Sequence, residues 1–120
     1  MNTVKKTVVF DFDGVIHSYT SGWQNEYTIP DPPVDGIKEA IAEIREAGYT
    51  VVIVSTRCAY ANGKLAIMNW LEKYGIKVDG IVEHKPPAVV YIDDRAICFD
   101  GDSKSLLSKI KKKFKPWNKR

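Results

Sequence analysis

The run Val8-Val9-Phe10 ends on Asp11-Phe12-Asp13-Gly14. Three consecutive bulky apolar residues read as a buried strand, so the two carboxylates stand at the mouth of a parallel sheet. Side chains at i and i+2 of a strand share a face, but a chain leaving the strand at Gly14 splays them. One carboxylate is then free to attack while the other handles protons, which suggests phosphoryl transfer through an aspartyl phosphate. The plainer reading of an isolated Asp-x-Asp-Gly is a strand end capped by acidic turn residues, so the rest of the chain has to decide.

Along the chain, Val4 to Phe10 reads as the first strand, and Val15 to Pro33 as a polar, aromatic-bearing flap closed by Pro30, Pro32 and Pro33. Ile37, Ala40, Ile41, Ile44 and Ala47 recur at helical spacing, with Asp35 as the expected N-cap and Gly48 as the left-handed terminator. Tyr49 to Val54 is a second strand. The following helix is expected to turn Leu65, Ile67, Met68, Leu71 and Tyr74 inward and to end at Gly75. Val78 to Val82 and Ala88 to Ile92 read as further short strands, and Ile97 to Phe99 as a fifth that is antiparallel or irregular, because residues 93 to 96 are too few for a parallel crossover. A last helix runs from Ser103 to about Phe114, with Leu106, Leu107, Ile110 and Phe114 on one side. The alternation predicts an α/β chain: a Rossmann-like, open, mostly parallel sheet with helices on both faces.

With 120 residues, 44% of them hydrophobic, the chain suits one domain, 1 to 120, with a real core. No apolar stretch approaches the roughly 20 residues needed to span a bilayer, and the first residues lack a signal-type segment, so a cytoplasmic protein without membrane contact is expected. Cys58 and Cys98 are then expected to be reduced, half-buried small hydrophobes. Charge is uneven. From Lys104 onward there are eight basic residues and no acidic one, which leaves 10 basic against 15 acidic, a net −5, for residues 1 to 103. The basic tail, 109 to 120, carries Phe114 and Trp117 among its lysines. It suits either a nucleic-acid backbone or a solvated helix end.

Ligands of open parallel sheets bind at the carboxyl ends of the strands. Here those ends carry Asp11 and Asp13, Ser55 to Arg57, Lys85 within Glu83-His84-Lys85-Pro86-Pro87, and Asp93-Asp94. The segments VVFDFDGV, VVIVSTR, HKPP and YIDDR, in that order, resemble the four motifs of the haloacid dehalogenase (HAD) superfamily of phosphohydrolases. The likeness covers roughly residues 4 to 100. A receiver domain also carries a phosphorylated aspartate on an α/β chain of this size. Its acidic pair, however, opens the chain, whereas here the pair comes last.

The resemblance implies roles for particular residues. Asp11 resembles the nucleophile, and Asp13 the acid that protonates the leaving group and then activates water. Ser55, with Thr56 beside it, resembles the hydroxyl that binds a phosphoryl oxygen, and Lys85 the cation that steadies nucleophile and phosphate. Asp93 and Asp94 resemble the acidic metal motif, with Mg²⁺ expected on Asp11, the backbone carbonyl of Asp13 and Asp94, and Asp93 nearby. Electrostatics point the same way, since four carboxylates cannot crowd together ionised without cations, and a hard dication suits oxygen ligands. Asp13 is expected to be pushed upward by its acidic neighbours to serve as an acid.

The stretches after Gly14 and between Arg57 and Lys85 are too short for a folded cap domain, so an open site is expected. Ser-x-Arg and Asp-Asp-Arg are similar to motifs in the phosphatase domain of phage polynucleotide kinase. That likeness puts Arg57 and Arg95 near phosphate, with salt bridges to nearby acids as the other reading. His17, Tyr19, Trp23 and Tyr27 in the flap either contact substrate, stacking on a base included, or pack the flap onto the body. The partner expected is therefore a phosphorylated small molecule or a nucleic-acid end. A nucleic-acid-binding or regulatory protein on a phosphatase scaffold is the alternative.

Overall fold

The computed structural model describes residues 6 to 113. The chain forms β1 (Thr7–Asp11), α1 (Ile37–Glu46), β2 (Thr50–Val54), a 3-10 turn (Thr56–Ala59), α2 (Ala61–Tyr74), β3 (Gly80–Val82), β4 (Val90–Ile92), a second 3-10 turn (Ser103–Ser105) and α3 (Leu106–Lys113). The four strands stand in the order β3-β2-β1-β4 and every pairing is parallel, so the chain is α/β with a Rossmann-like open sheet. Val4, expected in the first strand, and Phe114 and the rest of the tail beyond Lys113 lie outside the described residues.

Alternate residues of β1 and β2 face one core. Val8, Phe10, Val51 and Ile53 cluster there with Ile41 of α1, with Ile67, Trp70 and Leu71 of α2, and with Phe12, Ile16 and Ile76. Each fully buried aliphatic side chain of this set contributes about 2 kcal/mol by leaving water. Phe12 and Ile16 belong to the loop after β1, so the acidic strand end is anchored by apolar side chains on either side of Asp13.

Several expected details differ. The cap of α1 is Gly36, at φ 80 and with no side-chain hydrogen bond, rather than Asp35. The left-handed turn at Gly36 brings the chain into the helix without help from the aspartate, which stays exposed. Gly48, at φ +100, follows the end of α1 as expected. In α2 the inward residues are Gly63, Ile67, Trp70 and Leu71, while Leu65 and Met68 are 55% and 49% exposed. Gly63 sets this rotation, because a Cβ there would lie 2.0 Å from the Arg57 carbonyl oxygen. Positions two and five residues further on then point roughly the opposite way. Ile97 to Phe99 form no strand, and Phe99 is 59% exposed. Cys58 is half-buried as expected and Cys98 is exposed; both are free. No helix among the described residues is long and apolar enough to cross a membrane.

The connection from β3 to β4, residues 83 to 89, has no helix. An extended chain covers about 3.3 Å per residue, which suffices to pass two strands spaced about 4.8 Å apart. Its far end is tied to the sheet where the Val89 N–H donates to the Thr7 carbonyl at 2.9 Å. The sheet thus grows from β1 toward β3 and then doubles back to add β4 on the other flank. The order reverses between β1 and β4, and that is where an open parallel sheet leaves a crevice at its carboxyl edge.

Candidate functional site

Asp11 closes β1, and Asp93 and Asp94 directly follow β4, so the two strands that flank the reversal bring three carboxylates together. One oxygen from each lies within 4.8 Å of the others. Burial, and then the charge of Asp93, push the Asp11 carboxyl up to about 7, with Asp94 and Asp13 adding to the rise against a hydrogen bond from the Phe12 N–H. Three hard oxygen donors whose mutual repulsion shows in this shift fit a divalent cation such as Mg²⁺ better than any softer metal. Gly14 makes the approach possible. It sits at φ +89, and a Cβ there would meet the Asp94 carboxylate at 2.3 Å. Any side chain at position 14 would push Asp94 away from Asp11.

Asp13 points elsewhere. Its Oδ2 accepts from Arg57 Nε at 2.9 Å, and its Oδ1 accepts from Arg57 Nη2 at 3.1 Å and from His17 Nδ1 at 2.8 Å. The His17 ring takes this tautomer because its Nε2 accepts from the Asp31 N–H at 3.1 Å. The Asp31 carbonyl in turn accepts from the indole N–H of Trp70 at 3.0 Å. A chain of hydrogen bonds therefore runs from α2 through the flap to Asp13. The expected upward shift of Asp13 is reversed. Burial alone would raise this carboxyl, but the hydrogen bonds from His17 and Arg57 and the guanidinium charge outweigh it and hold Asp13 below the usual carboxylate value.

Arg57 is the hub of the arrangement. Its side chain is fully buried, and Nη1 donates to the carbonyls of Asn25, Glu26 and Thr28 at 2.8, 3.1 and 3.2 Å. Its Cζ lies 4.6 Å from the centre of the Trp23 ring. Of the two readings open for Arg57 in the sequence, the salt bridge to a nearby acid is the one this geometry contains. For His17, substrate contact and packing of the flap are both open in the sequence, and the geometry contains the packing: the ring is fully buried between those of Phe12, Tyr19 and Trp70.

Ser55 caps the 3-10 turn, its Oγ accepting from the Arg57 N–H at 3.1 Å, which leaves its own proton to donate; Thr56 beside it is exposed. Lys85 does not join the acids. Its ammonium lies 5.0 Å from the centre of the Tyr91 ring, the Tyr91 hydroxyl bonds the Pro86 carbonyl at 2.7 Å, and no ion pair links Lys85 to Asp11, Asp13, Asp93 or Asp94. The helix-free crossover holds it there. Arg95 is exposed, its N–H donating to Asp93 Oδ1 at 2.9 Å.

The flap is closed at its base by backbone bonds from Ser18 to Pro32, 2.9 Å, and from Val34 to Ile16, 2.8 Å. Tyr19, at φ 61, has the one left-handed non-glycine backbone among the described residues. Burial and then the charge of Asp13 hold its phenol above the ordinary value, and its ring packs edge-on to His17 with centroids 5.8 Å apart. The left-handed twist is the sequence-invisible feature that puts it there. A hollow of about 630 Å³ lies at the amino ends of the strands among Lys38, Arg45, Tyr49, Lys77 and Asp79, away from this chemistry.

No family model matches the chain, and no curated protein does. Among solved structures the chain is similar to one from the "Structure of Pnkp1/Rnl/Hen1 complex", at 19% identity and a TM-score of 0.56. That likeness covers 91% of this chain but only 36% of the other, so the chain spans about a third of the length of the protein it matches. At this identity the resemblance is one of fold.

Proposed function

We propose that the chain is a divalent-metal-dependent phosphohydrolase of the HAD type, acting on the phosphate of a nucleotide or a nucleic-acid end. The observation that carries the reading is the meeting of Asp11, Asp93 and Asp94 at the carboxyl edge where the strand order reverses. Asp11 attacks phosphorus as the P–O ester bond breaks, and the leaving oxygen takes a proton from Asp13. Asp13 then removes a proton from the water that opens the aspartyl phosphate, and inorganic phosphate departs. Asp11, Asp93, Asp94 and the Asp13 carbonyl would hold a dication, which when bound neutralises these acids and polarises a phosphoryl oxygen.

Asp13 must gain a proton for the first step, and an arriving phosphoryl group, itself anionic, raises its affinity for one. Arg57 and His17 position that carboxylate. Ser55, with its hydroxyl proton uncommitted, and Thr56 suit a phosphoryl oxygen, and Arg95 suits a further phosphate charge. A screen of sugar phosphates, nucleotides and 3′- or 5′-phosphorylated oligonucleotides, with Mg²⁺ and with chelator, tests the proposal. Metal-dependent release of phosphate that Asp11→Asn abolishes is the expected result, and no release from any of them refutes it.

One observation favours the second reading, a nucleic-acid-binding or regulatory protein on this scaffold. Lys85 rests over Tyr91 instead of beside Asp11. In that case the same oligonucleotides bind without being hydrolysed.

A further inference from the structure

Trp23 is half exposed, at 52%, although one face of its indole lies against the buried guanidinium of Arg57. The other face is therefore the open one. The group behind it is firmly placed. Arg57 cannot move without breaking two bonds to Asp13 and three to the flap carbonyls of Asn25, Glu26 and Thr28. The indole thus has a fixed cation beneath one face, on the side that leads to Asp13, and that attraction favours the ring's placement before any ligand arrives. Two more exposed rings belong to the same junction. Tyr27, 56% exposed, lies between the carbonyls that Arg57 holds, and Tyr60, 55% exposed, donates its N–H to the Arg57 carbonyl.

We propose that the open face of Trp23 is a stacking subsite for the substrate's nucleobase, one sugar removed from the phosphate that Asp11 attacks. This rests on the phosphohydrolase reading and names the substrate class for it. The spacing argues for a nucleobase over other aromatic groups. A whole guanidinium separates Trp23 from Asp13, so a ring on Trp23 is not itself the leaving group. An aryl phosphate, whose ring is joined straight to the ester oxygen, would place that ring beside Asp13 and Tyr19. A nucleotide, whose sugar stands between base and phosphate, accommodates that separation, and stacking on an aromatic side chain accepts any base.

The base has two sources, a free nucleotide or the end of a nucleic acid, and the test has an arm for each. Turnover by the full chain is compared for a nucleoside 5′-monophosphate against ribose 5-phosphate, and for a phosphorylated oligonucleotide against one whose terminal residue is abasic. Trp23→Ala is expected to lower the preference in kcat/KM for the base-bearing member of a pair by roughly tenfold, within the usual range for one stacked base. Trp23→Tyr should keep most of it. A fall in the mononucleotide pair assigns a free nucleotide, and a fall confined to the oligonucleotide pair assigns a nucleic-acid end.

A shield that merely keeps water from Arg57 would slow both members equally, and an unchanged preference in Trp23→Ala with hydrolysis retained overturns the subsite while leaving the hydrolase reading intact. Calorimetric affinity for the same pairs, measured in Asp11→Asn with and without Trp23→Ala, decides the subsite independently of turnover. Equal loss for base-bearing and base-lacking ligands there overturns it even if wild type hydrolyses nothing, the outcome that separately defeats the hydrolase reading. Should Trp23→Ala fail to fold, Trp23→Leu, which keeps an apolar cover over Arg57 without a stacking face, takes its place.

Discussion

On the proposed function, protons and metal compete for Asp11, and the competition is measurable. The Asp11 carboxyl is raised from 3.8 to about 7 by burial and by the charges of Asp93, Asp94 and Asp13. Because the folded value lies above the unfolded one, the apo protein keeps its proton longer than the denatured chain does, and its stability falls as pH rises from about 4 through about 7. A dication reverses the slope, since it takes the place of that proton. At pH 5 only about 1% of Asp11 is ionised, against some 90% at pH 8, so apparent affinity for Mg²⁺ should weaken by up to a hundredfold between the two. Water reaches this half-buried side chain, and screening trims the change to roughly ten- to hundredfold, or about 1.4 to 2.7 kcal/mol of metal-dependent stabilisation. Calorimetric Mg²⁺ titration at both pH values, with melting curves in Mg²⁺ and in chelator, reads both quantities. An unperturbed carboxylate at 3.8 would change affinity by less than a tenth. A dissociation constant that moves less than threefold therefore refutes the crowded-acid account of the site, and Asp94→Ala should bind Mg²⁺ weakly at either pH.

Asp13→Asn should slow turnover most on poor leaving groups, and an activated phenolate ester should recover part of the rate; equal losses on both would count against its proton-transfer role. Removing the guanidinium in Arg57→Leu leaves the Asp13 carboxylate and three flap carbonyls without their donor, and urea unfolding should report a loss of about 3 to 5 kcal/mol. Because Asp13 is held below its unfolded value, the stability it lends wild type is present above pH ~4 and declines as pH falls through the lower native value. Arg57→Leu should show a flatter acid limb between pH 5 and 2. Gly63→Ala forces a methyl against the Arg57 carbonyl and should destabilise by about 3 kcal/mol; a loss under 0.5 kcal/mol would mean that this close approach relaxes freely.

What was legible in the sequence was local or topological. The apolar run into Asp11 and the position of Asp93-Asp94 after another strand place these acids on one edge, because a parallel sheet gathers its carboxyl ends there, but their meeting depends on β4 pairing with β1, which no residue pattern records. The rotation of α2 was not legible, since the pattern of Leu65, Ile67 and Met68 fits more than one inward face and the choice is made by Gly63 meeting a backbone oxygen six residues upstream. The clamp on Asp13 was hidden for a similar reason. His17 and Arg57 are polar residues beside a suspected phosphate site, and nothing in their spacing says that both turn inward to the same carboxylate. Lys85 sits in the expected motif, yet its place over Tyr91 depends on how a helix-free crossover lies on the sheet, which no periodicity records.

Arg57 grips the flap through main-chain oxygens of Asn25, Glu26 and Thr28, and a carbonyl is the same whatever side chain follows it. The side chains of Trp23, Gln24 and Tyr27 make none of the hydrogen bonds that hold Arg57 on Asp13, whereas Asn25 Oδ1 braces the same stretch by accepting from the Tyr27 and Thr28 N–H groups at 3.1 and 2.7 Å. Mutational drift at these three positions can change the exposed surface of the flap while the Asp13 carboxylate stays put. A saturation library over Trp23, Gln24 and Tyr27 should accordingly yield mostly folded proteins with altered preferences, whereas deletion of one residue from the same stretch, which shifts the carbonyls themselves, should be poorly tolerated.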